Sequence, residues 1–320
     1  MARGESVEVG EGGKGLEGYE GVKCGEGDEG GEGGEGVEGG LREMMVMTLV
    51  REERALREVS YCGLFDGHNG AKAAELAAGR LHNMLAAEDN FRTSGESGAD
   101  EEVMRQAFER AFLNFDRALL DQFKLEGSTD GSTGLVVLRL GGVLYSAHVG
   151  DSRAVLCRGG LAERLTDDHK PDRADEKERV YAAGGSVEFA GCWRVVCQPR
   201  SGNVGRALAL AVSRSFGDPD FKTPHPLVEA TPTVTRTELT PAASFAILAS
   251  DGLWDVLSDQ EAVDIVKEHV SEWKQTHPRG SGKQMGMEME KAAADKLVEG
   301  SLKAGTQDNV TAVVMFLPWD

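Results

Sequence analysis

The sequence predicts a mixed α and β fold in one large domain behind an unstructured tail. Short apolar runs at 59–65, 244–250 and 310–317, rich in Val, Ile, Leu and Phe and bounded by Gly, Asp or Pro, read as buried strands. Longer stretches at 71–87 and 101–123 repeat their apolar residues at helical spacing. Residues 1–40 are dominated by Gly and Glu with other residues scattered among them and no periodic apolar face, so they bury too little to offset the entropy of ordering. The remainder, 41–320 of a chain that is 40% apolar and 28% charged, suffices for one substantial core.

Each element follows in chain order. The segment 41–59 has two readings: a first strand, or an amphipathic helix with charged pairs at i, i+4. Behind the Asp-Gly-His turn at 66–68, Leu76, Leu81 and Leu85 share one face of a helix. After a polar break at 88–99, Phe108, Ala111, Phe112, Phe115 and Leu119 mark a second, whose first turn is rich in acid. The two are expected to pair antiparallel on a sheet. From Thr133 the pattern becomes a meander: strands at 135–140, 143–149 and 152–157 with Gly141-Gly142 and Gly159-Gly160 turns. A helix at 173–182 is stopped by Gly184-Gly185. Helices near 259–270 and 288–303 follow, with the insert at 273–290 read as a loop.

Charge narrows the function. The net charge is -19, of which the tail's eleven acidic and three basic residues supply about -8. An acidic folded part argues against a nucleic-acid surface, which needs a basic stripe, and suits a protein that gathers divalent cations. No apolar run reaches membrane-span length and no signal-peptide core opens the chain. The expectation is a soluble monomer of cytosol or nucleus, with an organellar location left open. Cys24, Cys62, Cys157, Cys192 and Cys197 show no CxxC spacing and read as reduced thiols.

The chemistry lies in aspartates next to the strand-like runs: Asp66 in LFDGHNG, Asp251 and Asp255 in SDGLWD, and Asp308 in TQDNVT. One Asp-Gly pair is ordinary turn chemistry. Carboxylates gathered from several strand ends make a hard-cation site, and a hard cation activates water.

The order of FDGHNG at 65–70, DGSTG at 130–134, HVGDSRAVLCRGG at 148–160, LTDDHKPDRADEKERVYAAGGSV at 165–187, LALAVSRSFGD at 208–218, ILASDGLWDVLSDQEAV at 247–263 and GTQDNVTAVV at 305–314 resembles the type 2C, or PPM, family of metal-dependent protein serine/threonine phosphatases, in its plant and algal branch. The resemblance implies an α+β fold of two stacked antiparallel sheets flanked by helix pairs. It implies hydrolysis of phosphoserine and phosphothreonine in phosphoprotein substrates by a metal-activated water. Asp66 would bridge two Mg2+ or Mn2+ ions, the Gly67 carbonyl would bind one of them, and Asp251 and Asp308 would complete the shell of the first ion. Asp151 and Asp255 resemble ligands of a weaker third ion, although Asp255 could equally cap the helix that begins near Leu253. His68 would protonate the departing seryl or threonyl oxygen. His169 looks structural, and Arg153 and Arg214 read as partners in buried ion pairs.

The sequence departs from the family at its first strand, where an R-x-x-M-E-D pattern is expected. Arg42 and Met45 fit, Arg42 as the phosphate clamp, but Val46 and Met47 stand where the acidic pair belongs. The first strand is therefore atypical or missing. The alternative to an enzyme is a pseudophosphatase that binds phosphoproteins without turnover.

Overall fold

The computed structural model describes residues 20–23, 44–54, 57–88, 101–197, 207–223, 225–277 and 283–317. β2 (Met44–Arg54) and β3 (Arg57–His68) form a long hairpin, from Met44 opposite Gly67 to Arg54 opposite Arg57. β3 pairs with β5 (Gly134–Leu140), β5 with β6 (Val143–Val149), and β6 with β13 (Thr233–Glu238). β1 (Glu20–Lys23) adds to the outer edge of β2, while the short β4 (Gly131–Ser132) and β12 (Phe216–Gly217) extend the sheet beside the end of β3. A second sheet runs β15 (Ala312–Phe316), β14 (Ala243–Ala249), β7 (Arg153–Arg158), β8 (Leu161–Arg164). A third, small sheet holds β11 (Leu208–Leu210), β10 (Cys192–Cys197) and β9 (Ser186–Ala190). All these pairings are antiparallel.

Successive strand residues face opposite sides of a sheet, and β3 shows the consequence. Tyr61 and Phe65 pack against α1 (Lys72–Ala87) and α2 (Glu101–Glu126), together with Leu81, Phe108, Phe112 and Phe115. Cys62 and Leu64 face the second sheet and meet Leu156, Leu248 and Val313. The far side of that sheet is covered by α5 (Asp251–Trp254), α6 (Asp259–Thr276) and α7 (Lys283–Ala304) through Trp254, Val263, Val266, Ala293 and Leu297. The result is the helix, sheet, sheet, helix sandwich that the motifs imply. α3 (Ala174–Ala182), α4 (Pro219–Lys222) and the small sheet share a separate core of Val180, Val195, Phe221 and Val228.

Three expectations are corrected. The helical reading of 41–59 fails because residues 44–54 are strand: pairing along one edge of β3 outweighs surface charge pairs of about 0.2–0.5 kcal/mol each. The tail 1–40 is not wholly unstructured, since Glu20 lies opposite Leu49 and Lys23 opposite Val46; edge pairing draws on backbone groups and needs no apolar face. The rest of the tail lies outside the described residues. The loop at 273–290 is largely helix, with residues 273–276 closing α6 and Lys283 opening α7. The Met, Glu and Lys of that stretch are strong helix formers.

Phe216 ties the first sheet to its helices. It is fully buried, its ring centroid lies 4.9 Å from that of Phe115, edge-on, and 5.2 Å from that of Phe112. Phe216→Ala is expected to lower unfolding stability by about 3–5 kcal/mol in urea titrations; a loss under about 1 kcal/mol would show that the site collapses around the gap.

Candidate metal centre

Asp66 leaves the end of β3 on the face shared by Cys62 and Leu64, toward the second sheet. Its peptide group is clamped. The Asp66 N–H donates to Thr133 Oγ1 at 3.1 Å, and its carbonyl accepts from the Thr133 N–H at 2.8 Å and the Ser132 hydroxyl at 3.1 Å. Thr133 Oγ1 also shares a 2.8 Å hydrogen bond with Ser152 Oγ, beside Asp151. The clamp on Asp66 and the loop carrying Asp151 are thus one unit.

The second pair of acids is held by backbone proximity. Asp251 opens α5 directly behind β14, and Asp308 precedes β15. A Cβ on Gly252 would lie 2.0 Å from the Asn309 carbonyl oxygen, so only glycine lets the Asp-Gly and Asp-Asn turns touch. The Ser250 N–H donates to the Thr311 carbonyl at 3.1 Å, and the Thr311 N–H donates to Ser250 Oγ at 3.2 Å. Asp255 caps no helix N-terminus: it ends α5, and α6 is capped by Ser258 in a capping box with Glu261. The capping role considered for Asp255 therefore falls.

The electrostatics show four acids and one resident cation. Lys170 Nζ lies 2.5 Å from Asp151 and 3.9 Å from Asp251. Burial and then the charge of Asp151 push the Asp251 carboxyl up to about 8 against the pull of Lys170, with Asp308 and Asp255 adding to the rise. Asp255 is also raised, by burial first, against the pull of Lys170. Burial opposes the charge on Lys170, but Asp151 holds it protonated, with Asp251 and Asp255 contributing. No three acidic, cysteine or histidine side chains among the described residues close on a single ion as they stand. The donor set fits a hard divalent cation by its chemistry, all oxygen, and by its uncompensated charge.

Other residues fall into place around this cluster. His68 ends β3, with Nε2 3.0 and 2.9 Å from the two Asp218 carboxylate oxygens. His169 is structural: buried, 2.9 Å from Thr233 Oγ1 through Nε2, and stacked on His148. Arg153 pairs with Asp168 and Asp259, and Arg214 with Glu176. Arg42 lies outside the described residues. β2 is present, and its register revises the alignment: Met45 lies opposite Asp66 while Val46 lies opposite Phe65. The position sharing the Asp66 face is Met45, not Val46. Lys170 and Asp218 went unassigned at the level of sequence. Lys170 adjoins the Asp-His motif, a usable signal, whereas nothing in spacing links Asp218 to His68.

Comparison with known proteins agrees with the fold and the motifs. Residues 33–310 match the family model described as protein phosphatase 2C. The chain is 38% identical to probable protein phosphatase 2C 71 of Arabidopsis thaliana over 80% of its own length and 48% of that protein's. It is 36% identical to probable protein phosphatase 2C 45 of Oryza sativa subsp. japonica over 79% of its length and 75% of that protein's. The chain thus spans about half the length of some curated relatives and three quarters of others. A crystal structure of serine-threonine phosphatase 2C from Toxoplasma gondii superposes with a TM-score of 0.72 at 23% identity, covering 99% of each chain.

The charge imbalance has a measurable consequence without metal. A carboxylate raised from 3.8 to about 8 contributes full stability below pH 3.8 and loses it as pH climbs toward 8, because the folded state retains a proton that the unfolded chain releases. Asp251→Asn removes that loss. In metal-free buffer its melting temperature should exceed wild type by ~2 °C or more at pH 8 and by less at pH 5, while Lys170→Met should fall below wild type at pH 8. Equal shifts of Asp251→Asn at both pH values would reject the account.

Proposed function

Because this chain belongs to the protein phosphatase 2C family, we propose that it hydrolyses phosphoserine and phosphothreonine esters of phosphorylated proteins, with Mg2+ or Mn2+ held by Asp66, Asp251, Asp308 and the Gly67 carbonyl. The observation that carries the reading is the gathering of Asp251, Asp255 and Asp308 with Asp151, where burial first, and then the charge of Asp151, raise Asp251 against the pull of Lys170. Asp151 and Asp255 would serve a weaker third ion in place of the Lys170 ammonium.

Bound divalent cations supply a water acidified toward neutral pH and offset the charge of the phosphate. The protein's own groups do the rest. The hydrogen bonds with Ser132 and Thr133 fix the Asp66 backbone, and so the point from which its carboxylate projects. His68 delivers a proton to the oxygen leaving phosphorus. Arg42 would clamp the phosphate. Substrate choice is left to surfaces outside the motifs, and no helix among the described residues is long and apolar enough to cross a membrane. The pseudophosphatase reading rests on Val46 and Met47 alone, and no observation favours it.

Phosphate release from a phosphothreonine peptide should require added Mn2+ or Mg2+ and stop with a chelator. Asp66→Asn, Asp251→Asn and Asp308→Asn should each lose at least about 100-fold in turnover while keeping a cooperative melting transition. Turnover that survives complete metal removal would sink the mechanism.

The register of β2 adds a sharper test. Met45→Glu places a carboxylate on the Asp66 face, so the metal concentration for half-maximal activity should fall by roughly tenfold. Val46→Glu, on the opposite face, should leave it unchanged. Metal titrations by calorimetry and phosphate release that reversed this order would show that the strand is paired one residue out of register.

A further inference from the structure

We propose that Asp218 is the positioning residue of His68, holding the imidazole by Nε2 so that the ring offers its other nitrogen to the departing oxygen, and that Gly131 is the opening through which the two side chains meet. The inference rests on the phosphatase reading for its chemistry, though the contact itself stands on geometry alone.

The geometry is made by two short strand pairings. β4 lies between the end of β3 and β12: His68 is opposite Gly131, and Gly131 is opposite Gly217, the residue before Asp218. Side chains 150 positions apart in the chain therefore flank one glycine. A Cβ on Gly131 would lie 2.2 Å from His68 Nε2 and 2.2 Å from Asp218 Oδ2. Any other residue there would force the pair apart.

Asp218 is built to stay in place. Its side chain is 1% exposed, its Oδ2 accepts from the Ser215 hydroxyl at 2.5 Å, and its N–H donates to the Asp130 carbonyl at 3.0 Å. Its backbone is left-handed, φ 51 and ψ 55, directly after Gly217 at φ 74, a conformation that costs a residue with a Cβ and persists only where the surroundings impose it. The nearby Lys222 is directed instead to Asp116 and the Ser215 carbonyl. A buried carboxylate is costly unless paired, and the basic side chain set against this one is His68.

Both Asp218 oxygens lie within 3.0 Å of one ring nitrogen, which fixes the ring direction and places a proton on Nε2. In the reaction, the bond from phosphorus to the seryl or threonyl oxygen breaks as a water oxygen bonds to phosphorus and its proton passes to solvent. The leaving oxygen takes the proton carried on Nδ1. The ring ends neutral, with Nε2–H still donated to Asp218, and regains its Nδ1 proton from solvent.

The test compares two leaving groups with saturating Mg2+. An alkoxide needs the proton; p-nitrophenolate leaves without one. On a phosphothreonine peptide, Asp218→Asn and Gly131→Ala should each lower kcat by about 10- to 100-fold, and on p-nitrophenyl phosphate by less than about threefold. His68→Ala should show the same split, and adding Asp218→Asn to it should cost nothing more. Equal losses on both substrates, or additive losses in the double variant, would overturn the role of Asp218. A second readout is independent of activity: the melting-temperature losses of His68→Ala and Asp218→Asn should be non-additive, and additive losses would overturn the contact. Wild-type protein inactive on both substrates would refute the phosphatase reading, with the thermal cycle still deciding the contact.

Discussion

Carboxylates crowded at one edge of a sheet-on-sheet core set the terms for the rest of this structure. Leu64, Ala154, Leu248 and Val313 lie in the apolar layer between the sheets, and each belongs to a strand with an acid at or close to its end: Asp66 in the last residues of β3, Asp151 before β7, Asp251 after β14, Asp308 before β15. Burying that layer therefore gathers the acids. Packing supplies the favourable free energy, and the acids draw on it through desolvation and repulsion. The small residues at the turns follow from the same geometry. Gly252 admits the Asn309 carbonyl, and Gly150, at φ 93, lies against Thr133.

What was legible in the sequence is what local patterning encodes. The helical stripe from Phe108 to Leu119 marked α2, and the Gly141-Gly142 turn marked the β5–β6 hairpin with Leu140 opposite Val143. The acids at Asp66, Asp251 and Asp308 were legible because each follows or precedes a short apolar run, so strand ends could be located without knowing which strands are neighbours. Their identity as a set came from motif order, a property of the whole chain.

What was not legible depends on register and on distant pairing. Met45 and Val46 differ in role only because one lies opposite Asp66 and the other opposite Phe65, and a shift of one residue would exchange their faces. The contact between His68 and Asp218 spans 150 positions and passes over a glycine in a two-residue strand, too short for any periodic signal. The tail shows the converse. Its composition predicts no order, yet an edge strand needs only backbone partners, and β1 finds them on β2.

These features set the charge balance of the acidic cluster. Burial is the first cause of the raised Asp251 and Asp255 carboxyls, the charge of Asp151 adds to the rise of Asp251, and Lys170 pulls both back. The Lys170 ammonium, 2.5 Å from Asp151 and 3.9 Å from Asp251, is a counter-charge that the fold itself supplies to acids which packing of the two sheets brings together.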